Sequence, residues 1–335
     1  MKKVLLLAPR LDVMFKKSAV PLVLKNTFEN SPIPPIRQHW RNFIERVISE
    51  YSNRTDVSFK VLELPLWQFT PELVNELKPD IVFVPHKEAH SFPVENCEVY
   101  YYMQTAFPWM FSVDRKGWGA GSSKYPFYNG NISESWRDGI EIFRMLQNRM
   151  NDNQSKFDQP AWLKNINLPD RYAFFPCQIP HDETIKFHSN VTVEEALERT
   201  CIATQEIGMN LVVKGHPVNP GSMQSLKDIA KKYTHVIWYD DVSIHQLMEA
   251  ASCTVTVNSG VGFESLLHQI PVVTFGRSEY DCVTYKVDKD TDLGQLIKIV
   301  SDNAFKYDEV CDFYNNWWKY CYDSTNEEDF IKLPK

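Results

Sequence analysis

The 335-residue chain has room for two domains or one large one, and its hydrophobic and charged fractions are those of an ordinary globular protein. A net charge of −7 with no basic stripe argues against a nucleic-acid binder and leaves open a local basic groove for an anionic substrate. The scattered cysteines (Cys97, Cys177, Cys201, Cys253, Cys282, Cys311, Cys321) form no close pair, which argues against a disulfide framework or zinc site and for reduced thiols in a cytosolic protein.

The opening "MKKVLLLAPR" carries a short apolar run, Val4 to Leu7, closed by Pro9-Arg10. It reads as a buried first strand and not as a signal peptide. No apolar segment is long enough to span a membrane. Next come an amphipathic helix in "IRQHWRNFIERVISEY", a strand in "VSFKVLEL", and a helix in "TPELVNELK" with a Thr cap and Pro in its first turn. "PDIVFVPH" and "CEVYYYMQ" are further strands. A polar, aromatic, Gly-rich stretch follows from Phe111 to Asn131, then a helix from Ser133 to about Asn151, then a linker, "NDNQSKFDQPAWLKNINLPD". The second half alternates again. Its strands are "YAFFPCQ", "NLVVKGHP", "HVIWYD", "CTVTVNS" and "PVVTFG", with helices "TVEEALERTCIATQEIG", "GSMQSLKDIAKKY", "SIHQLMEAAS" and "GFESLLHQ" between them. The tail from Asp308 is aromatic and helix-like. Short apolar strands separated by helices imply two doubly wound α/β halves, Rossmann-like domains with parallel sheets facing a central cleft. The expected divisions are 1–165, 166–305 and a tail, 306–335.

Sheets of this kind bind ligands beyond the carboxyl ends of their strands, and four turns stand there. Ser259-Gly260-Val261-Gly262 opens a helix whose N–H groups suit an anion, and Glu264, one turn in, suits sugar hydroxyls. The competing reading is a tight turn capped by Ser259. In "LVVKGHPVNPG", Lys214 and His216 are two potential cations at one strand end, fit for a carboxylate or phosphate or simply a surface loop. "FFPCQIPHDETIKFHS" places Gln178, His181 and Asp182 after the strand that opens the second half. There Asp182 is a nucleophile, a general base, or the cap of a turn before Glu183-Thr184. "MQTAFPWMFSVDRKGWGAGSS" offers aromatics with Asp114, Arg115 and Lys116, as an acceptor loop or a self-packed lid. The remaining histidines lack metal-ligand spacing, and no Walker A, GxGxxG or GxSxG pattern occurs.

Taken together, "QIPHDETI", "KGHPVNPG", "DVSIH", "NSGVGFESLL" and "PVVTFG" resemble, in order and spacing, the capsule-polysaccharide-biosynthesis family, which includes retaining β-Kdo glycosyltransferases (Kdo is an acidic ketose). The resemblance covers about Tyr172 to Tyr280 well, and thins in the first half to "FPWMFSVDRKGWGAGSS". It implies the GT-B architecture, with CMP-β-Kdo as donor; beyond that donor no cofactor is expected and no metal-ligating residue is named. In family members the configuration is kept through a covalent Kdo-aspartate intermediate, and the matching carboxylate is Asp182. His216 matches a donor-site histidine, Ser259 and the Gly260-Val261-Gly262 turn the CMP-phosphate contact, and Glu264 the nucleotide-side glutamate. Gln178 opens the motif that holds Asp182, and Lys214 is the candidate partner of the donor carboxylate. His181 and Asp114 are both candidates for the base that deprotonates the acceptor, with Arg115 beside the second.

Some relatives carry an acidic run where this chain has Pro180-His181, and some fuse two transferase modules, whereas this chain has room for one. One linkage is therefore expected. The implied acceptor is a glycan or lipid-linked saccharide of a capsule, O-antigen or lipopolysaccharide, reached by a cytoplasmic protein in peripheral contact with the inner membrane. The resemblance also implies that the tail packs back on the first domain; "NNWWKYCYD" touching a membrane is the alternative. Two competing functions remain: another GT-B enzyme using CMP-sialic acid or a UDP-sugar, and a non-catalytic sugar-nucleotide-binding subunit.

Overall fold

The computed structural model describes residues 1–335 except 13, 15–19, 29–36, 218, 219, 304 and 335. Ile36 of the expected first helix, and Val218 and Asn219 of the "KGHPVNPG" motif, lie outside the described residues. The chain divides into two compact units, one of Met1–Tyr125 with Tyr320–Lys335, the other of Pro126–Lys319.

The first unit holds β1 (Lys2–Pro9), β2 (Leu24–Lys25), α1 (Gln38–Ser52), β3 (Val57–Leu64), α2 (Pro71–Leu77), β4 (Ile81–Pro85), β5 (Glu98–Gln104) and β6 (Met110–Asp114). Strands β3, β1, β4 and β5 are parallel neighbours, and their alternating crossovers follow from the apolar runs read in the sequence. The α1 helix buries Trp40, Phe43, Ile44, Val47 and Tyr51, a stripe at helical spacing that seals one face of the sheet. At α2, the Thr70 side chain accepts from Leu73 N–H at 3.3 Å with Pro71 just inside, as its sequence predicts.

The sheet is not parallel throughout. β6 pairs antiparallel with β5, and β2 antiparallel with β3. The Met110–Asp114 segment, expected as part of a loop, is a fully buried strand. Its aromatic surroundings and Pro108 masked the pattern.

The second unit begins with α3 (Asp138–Asn151). Then come β7 (Tyr172–Pro176), α4 (Glu183–His188), α5 (Val193–Glu206), β8 (Asn210–Lys214), α6 (Gln224–Ala230), β9 (Val236–Tyr239), α7 (Ile244–Glu249), β10 (Cys253–Thr256), α8 (Gly260–Leu267), β11 (Val272–Thr274), β12 (Tyr285–Lys286), α9 (Leu293–Asn303) and α10 (Tyr307–Tyr320). Its sheet is wholly parallel in the order β9-β8-β7-β10-β11-β12. Numbered within the unit this is 3-2-1-4-5-6, the doubly wound nucleotide-binding order. Ala173 and Phe175 face the cluster built with α5, α6 and α9, while Tyr172 and Phe174 face the cluster built with α7. The order reverses between β7 and β10, so a crevice opens beyond their carboxyl ends.

The units divide near residue 125 and not near 165, because α3 is bound into the second unit. Gln147 Nε2 donates to Leu267 O at 2.9 Å, and a Cβ on Gly139 would overlap the Cys311 backbone, so only glycine lets α3 and α10 approach this closely. The tail also differs from the expectation. On α10, Phe313, Tyr314 and Trp317 pack around Phe263 with ring centroids 5.4, 5.2 and 4.8 Å away, and Trp317 is buried. Of the "NNWWKYCYD" run, Trp317 is thereby committed to the second unit's core, while Trp318 and Tyr320 are partly exposed. The segment from Tyr320 joins the first unit, where β13 (Tyr322–Asp323) pairs antiparallel with β6.

Candidate functional site

The crevice between β7 and β10 is closed at its base by two amides. Gln178 Nε2 donates to Asn258 Oδ1 at 2.9 Å, and Gln178 Oε1 accepts from Asn258 N–H at 3.0 Å and from Thr256 Oγ1. Asn258 Nδ2 donates to Thr184 O at 3.0 Å and Arg277 O at 3.2 Å. One buried clamp thus ties the ends of β7 and β10 to α4 and to the loop after β11. Gln178, expected as a donor contact, has its amide committed to this clamp.

The clamp positions Asp182, the N-cap of α4. Its Oδ1 accepts from Thr184 N–H and Thr184 Oγ1, both at 2.9 Å. The capping role foreseen from sequence is therefore real, yet Oδ2 has no protein partner among the described residues. His181, beside it, is exposed.

His216 packs edge-on against Phe157 at 5.2 Å. Burial lowers its pKa to about 4; Lys156 and Lys214 push the same way, and Asp182 opposes them. At neutral pH His216 is therefore a neutral imidazole and not the cation expected. Lys214 differs from expectation too. Its buried ammonium donates to Asp240 O at 2.8 Å, and burial lowers its pKa against the attraction of Asp240 and Asp241.

Ser259 caps α8, accepting from Val261 N–H at 3.2 Å, and Gly262 N–H bonds to Ser259 O at 2.9 Å. Gly260 is exposed at the helix tip, so the tip remains the place where an anion would meet the helix dipole. Gly262 is glycine for a packing reason: a Cβ there would stand 2.7 Å from Tyr280 Cζ. The Tyr280 hydroxyl in turn donates to Ser259 O.

Glu264, one turn into α8, is buried, and its Oε1 has no hydrogen-bond partner among the described residues. Burial pushes its pKa up to about 7, with Ser155 and Lys156 pulling it down. Glu279 is likewise pushed up to about 7 by burial, against Lys156 and a bond from Trp317. Lys156 feels Asp182, Glu279 and Glu264 together, and burial lowers its pKa.

The site therefore assembles Asp182, His216, Glu264, Ser259 and the Gly260-Val261-Gly262 turn, and adds Lys156, Glu279, Asn258 and Tyr280. Asn258 and the "RSEY" run after β11 sit beside recognised motifs and were findable. Lys156 was not, since it lies in a segment that reads as a linker. Among the described residues no three His, Cys, Asp or Glu side chains converge as a metal site, and no helix is long and apolar enough to cross a membrane.

Asp114 and Arg115 belong to the first unit. Asp114 is a loop staple: it accepts from the N–H groups of Lys116 (2.7 Å), Gly117 (3.2 Å) and Ser123 (2.9 Å) and from the Ser122 and Ser123 hydroxyls. Burial alone would raise its pKa, but bonds from Ser123, Lys116 and Tyr320 outweigh that and lower it. A carboxylate so saturated is a poor proton acceptor, which corrects the base expectation. Arg115 bonds Glu98 at 3.3 Å and lies over Tyr100.

An all-parallel 3-2-1-4-5-6 sheet with a helix tip and a carboxylate at its reversal point defines a doubly wound α/β protein. The comparison with solved structures specifies the class. The chain is similar to the β-Kdo 2,4 transferase of Thermosulfurimonas dismutans KpsC at a TM-score of 0.50 and 16% identity, over 83% of this chain and 85% of that one, which shows a GT-B fold. The profile described as "Capsule polysaccharide biosynthesis protein" matches residues 121–295, over half of the sequence, and the chain belongs to that family. It is similar to the Escherichia coli capsule polysaccharide export protein KpsS, 26% identical over 34% of this chain and 32% of that protein. It is also similar to the Neisseria meningitidis capsule polysaccharide modification protein LipB, 25% identical over 33% of this chain and 29% of that one. The matched region thus spans about a third of those curated relatives.

Proposed function

We propose that the protein is a retaining glycosyltransferase that moves β-Kdo from CMP-β-Kdo to a glycan or lipid-linked saccharide during surface-polysaccharide assembly. In the first step Asp182 Oδ2 attacks C2 of the donor. The bond from C2 to the phosphate oxygen breaks, and CMP leaves with the electron pair. The α8 tip and the N–H of neutral His216 stabilise the leaving phosphate. Glu264 takes a nucleotide hydroxyl. In the second step an acceptor hydroxyl attacks C2, the Asp182 ester bond breaks, and the proton passes to a base, a role we give to His181. Two displacements return the configuration to β.

The observation that carries this reading is Asp182 at the strand-order reversal: one oxygen is fixed by its cap, the other makes no hydrogen bond among the described residues, and His216 and Lys156 lie within its electrostatic reach. Incubation with CMP-β-Kdo without acceptor, followed by intact-protein mass spectrometry, should show one added Kdo mapping to Asp182. Turnover with no adduct in any variant would refute it. The capping bonds themselves favour a second reading, in which Asp182 serves only α4 and the protein binds a sugar nucleotide without transferring it. That protein would bind CMP and release none from the donor.

A further inference from the structure

The segment 152–164 has neither helix nor strand, yet it is pinned along the start of α7. Ser243 Oγ donates to Asn153 Oδ1 at 2.6 Å, Ile244 N–H to Gln159 Oε1 at 2.9 Å, and Gln246 exchanges bonds with the Leu163 backbone at 3.0 and 2.8 Å. His245 completes the row. Its Nε2 lies 2.9 Å from Gln154 O, and a carbonyl can only accept, so Nε2 carries the proton. His245 Nδ1 is then the acceptor for His268 Nε2–H, 3.1 Å away at the end of α8. Burial keeps both imidazoles neutral by lowering their pKa values. This is a structural use for the "DVSIH" motif: it fixes the register of a strap whose next residues are Ser155, Lys156 and Phe157.

That register brings Lys156 among Asp182, Glu264 and Glu279, while its ammonium makes no hydrogen bond or ion pair with any of them among the described residues. The buried Glu264 Oε1, also without a partner, belongs to the same neighbourhood. A half-buried ammonium within electrostatic reach of three carboxylates but bonded to none, near a buried carboxyl oxygen that also makes no bond, has its donors available to an anionic group of a ligand.

We propose that Lys156 is the ammonium that receives the carboxylate of an acidic sugar in the donor, and that the Ser243–Gln246 edge of α7 is the latch that holds it there. The proposal rests on the donor reading above. Lys156 supplies the sugar-side cation that Lys214, bound to Asp240 O, does not.

The test is calorimetric titration of the full chain in an Asp182→Asn background, where no adduct forms, with CMP and CMP-β-Kdo as probes. A charge-assisted bond is worth about ten- to a hundredfold in affinity. Lys156→Met should therefore weaken CMP-β-Kdo by that factor while CMP stays within about twofold, and Lys156→Arg should restore part of the loss. His245→Ala should weaken CMP-β-Kdo selectively and by less, and His245→Gln, which can still donate to Gln154 O, should recover it. Equal loss of both probes in Lys156→Met, or loss of neither, overturns the subsite with the donor reading intact. An unaltered CMP-β-Kdo preference in His245→Ala overturns the latch. A chain that binds neither probe before Lys156 is changed overturns the donor reading and the subsite with it.

Discussion

Asn258 is the residue whose removal tests the site architecture most directly. Its side chain makes three bonds, one buried, to Gln178 at 2.9 Å, and two part-buried, to Thr184 O at 3.0 Å and Arg277 O at 3.2 Å. Asn258→Ala strands the Gln178 amide donor and two carbonyls. Each stranded buried group costs about 1–3 kcal/mol, so three come to about 3–9 kcal/mol, and water reaching the two part-buried carbonyls brings the net cost down to about 3–6 kcal/mol. At about 2–4 °C per kcal/mol for a unit of this size, the second unit should melt roughly 10 °C lower. Asn258→Asp conserves volume but turns the two donor bonds into carboxylate–carbonyl repulsion, so it should be no more stable than the alanine variant. Differential scanning calorimetry reads both. An alanine variant melting within about 2 °C of the parent, or an aspartate variant as stable as the parent, would refute the clamp.

Asp182→Asn keeps a good N-cap, so its melting point should stay close to the parent while turnover falls at least about 1,000-fold; Asp182→Ala should lose about 1 kcal/mol of stability as well. Glu264 has its carboxyl lifted from 4.5 to about 7. The folded state thus holds a proton that the unfolded state releases, and stability is lost as pH rises from about 4.5 to about 7. Glu264→Gln removes that penalty, so melting curves should show it more stable than the parent at pH 8, by up to roughly 3 kcal/mol, with the gap closing near pH 5. Gly262→Ala pushes a Cβ against Tyr280, and chemical denaturation should report about 1–3 kcal/mol of destabilisation. Tyr280→Phe in that background should recover little, because the ring clashes as well as the hydroxyl.

Much of the second unit was legible because its signals are local. Thr192 caps α5 by accepting from Glu195 N–H at 3.1 Å, and Gly208 closes that helix in the left-handed region at φ 65°, both at positions the residue types announce. The first unit was harder. In β6, Met110–Asp114 is buried throughout, so it lacks the alternation that marks a strand with one wet face. The α9 helix turns Leu293, Ile297 and Val300 inward, a periodic apolar signal of the local kind.

The amino-acid order alone determined the strand–helix alternation, the caps, and the gathering of polar motifs at strand ends, because each depends on spacing along one stretch of backbone. The tertiary structure decided which of those motifs meet. It made Gln178 part of a clamp, Asp114 a staple and His216 a neutral group, and it drew Lys156 from an apparent linker to within the electrostatic reach of Asp182, Glu264 and Glu279. Those outcomes turn on desolvation and on charges far apart in sequence, which no local window contains.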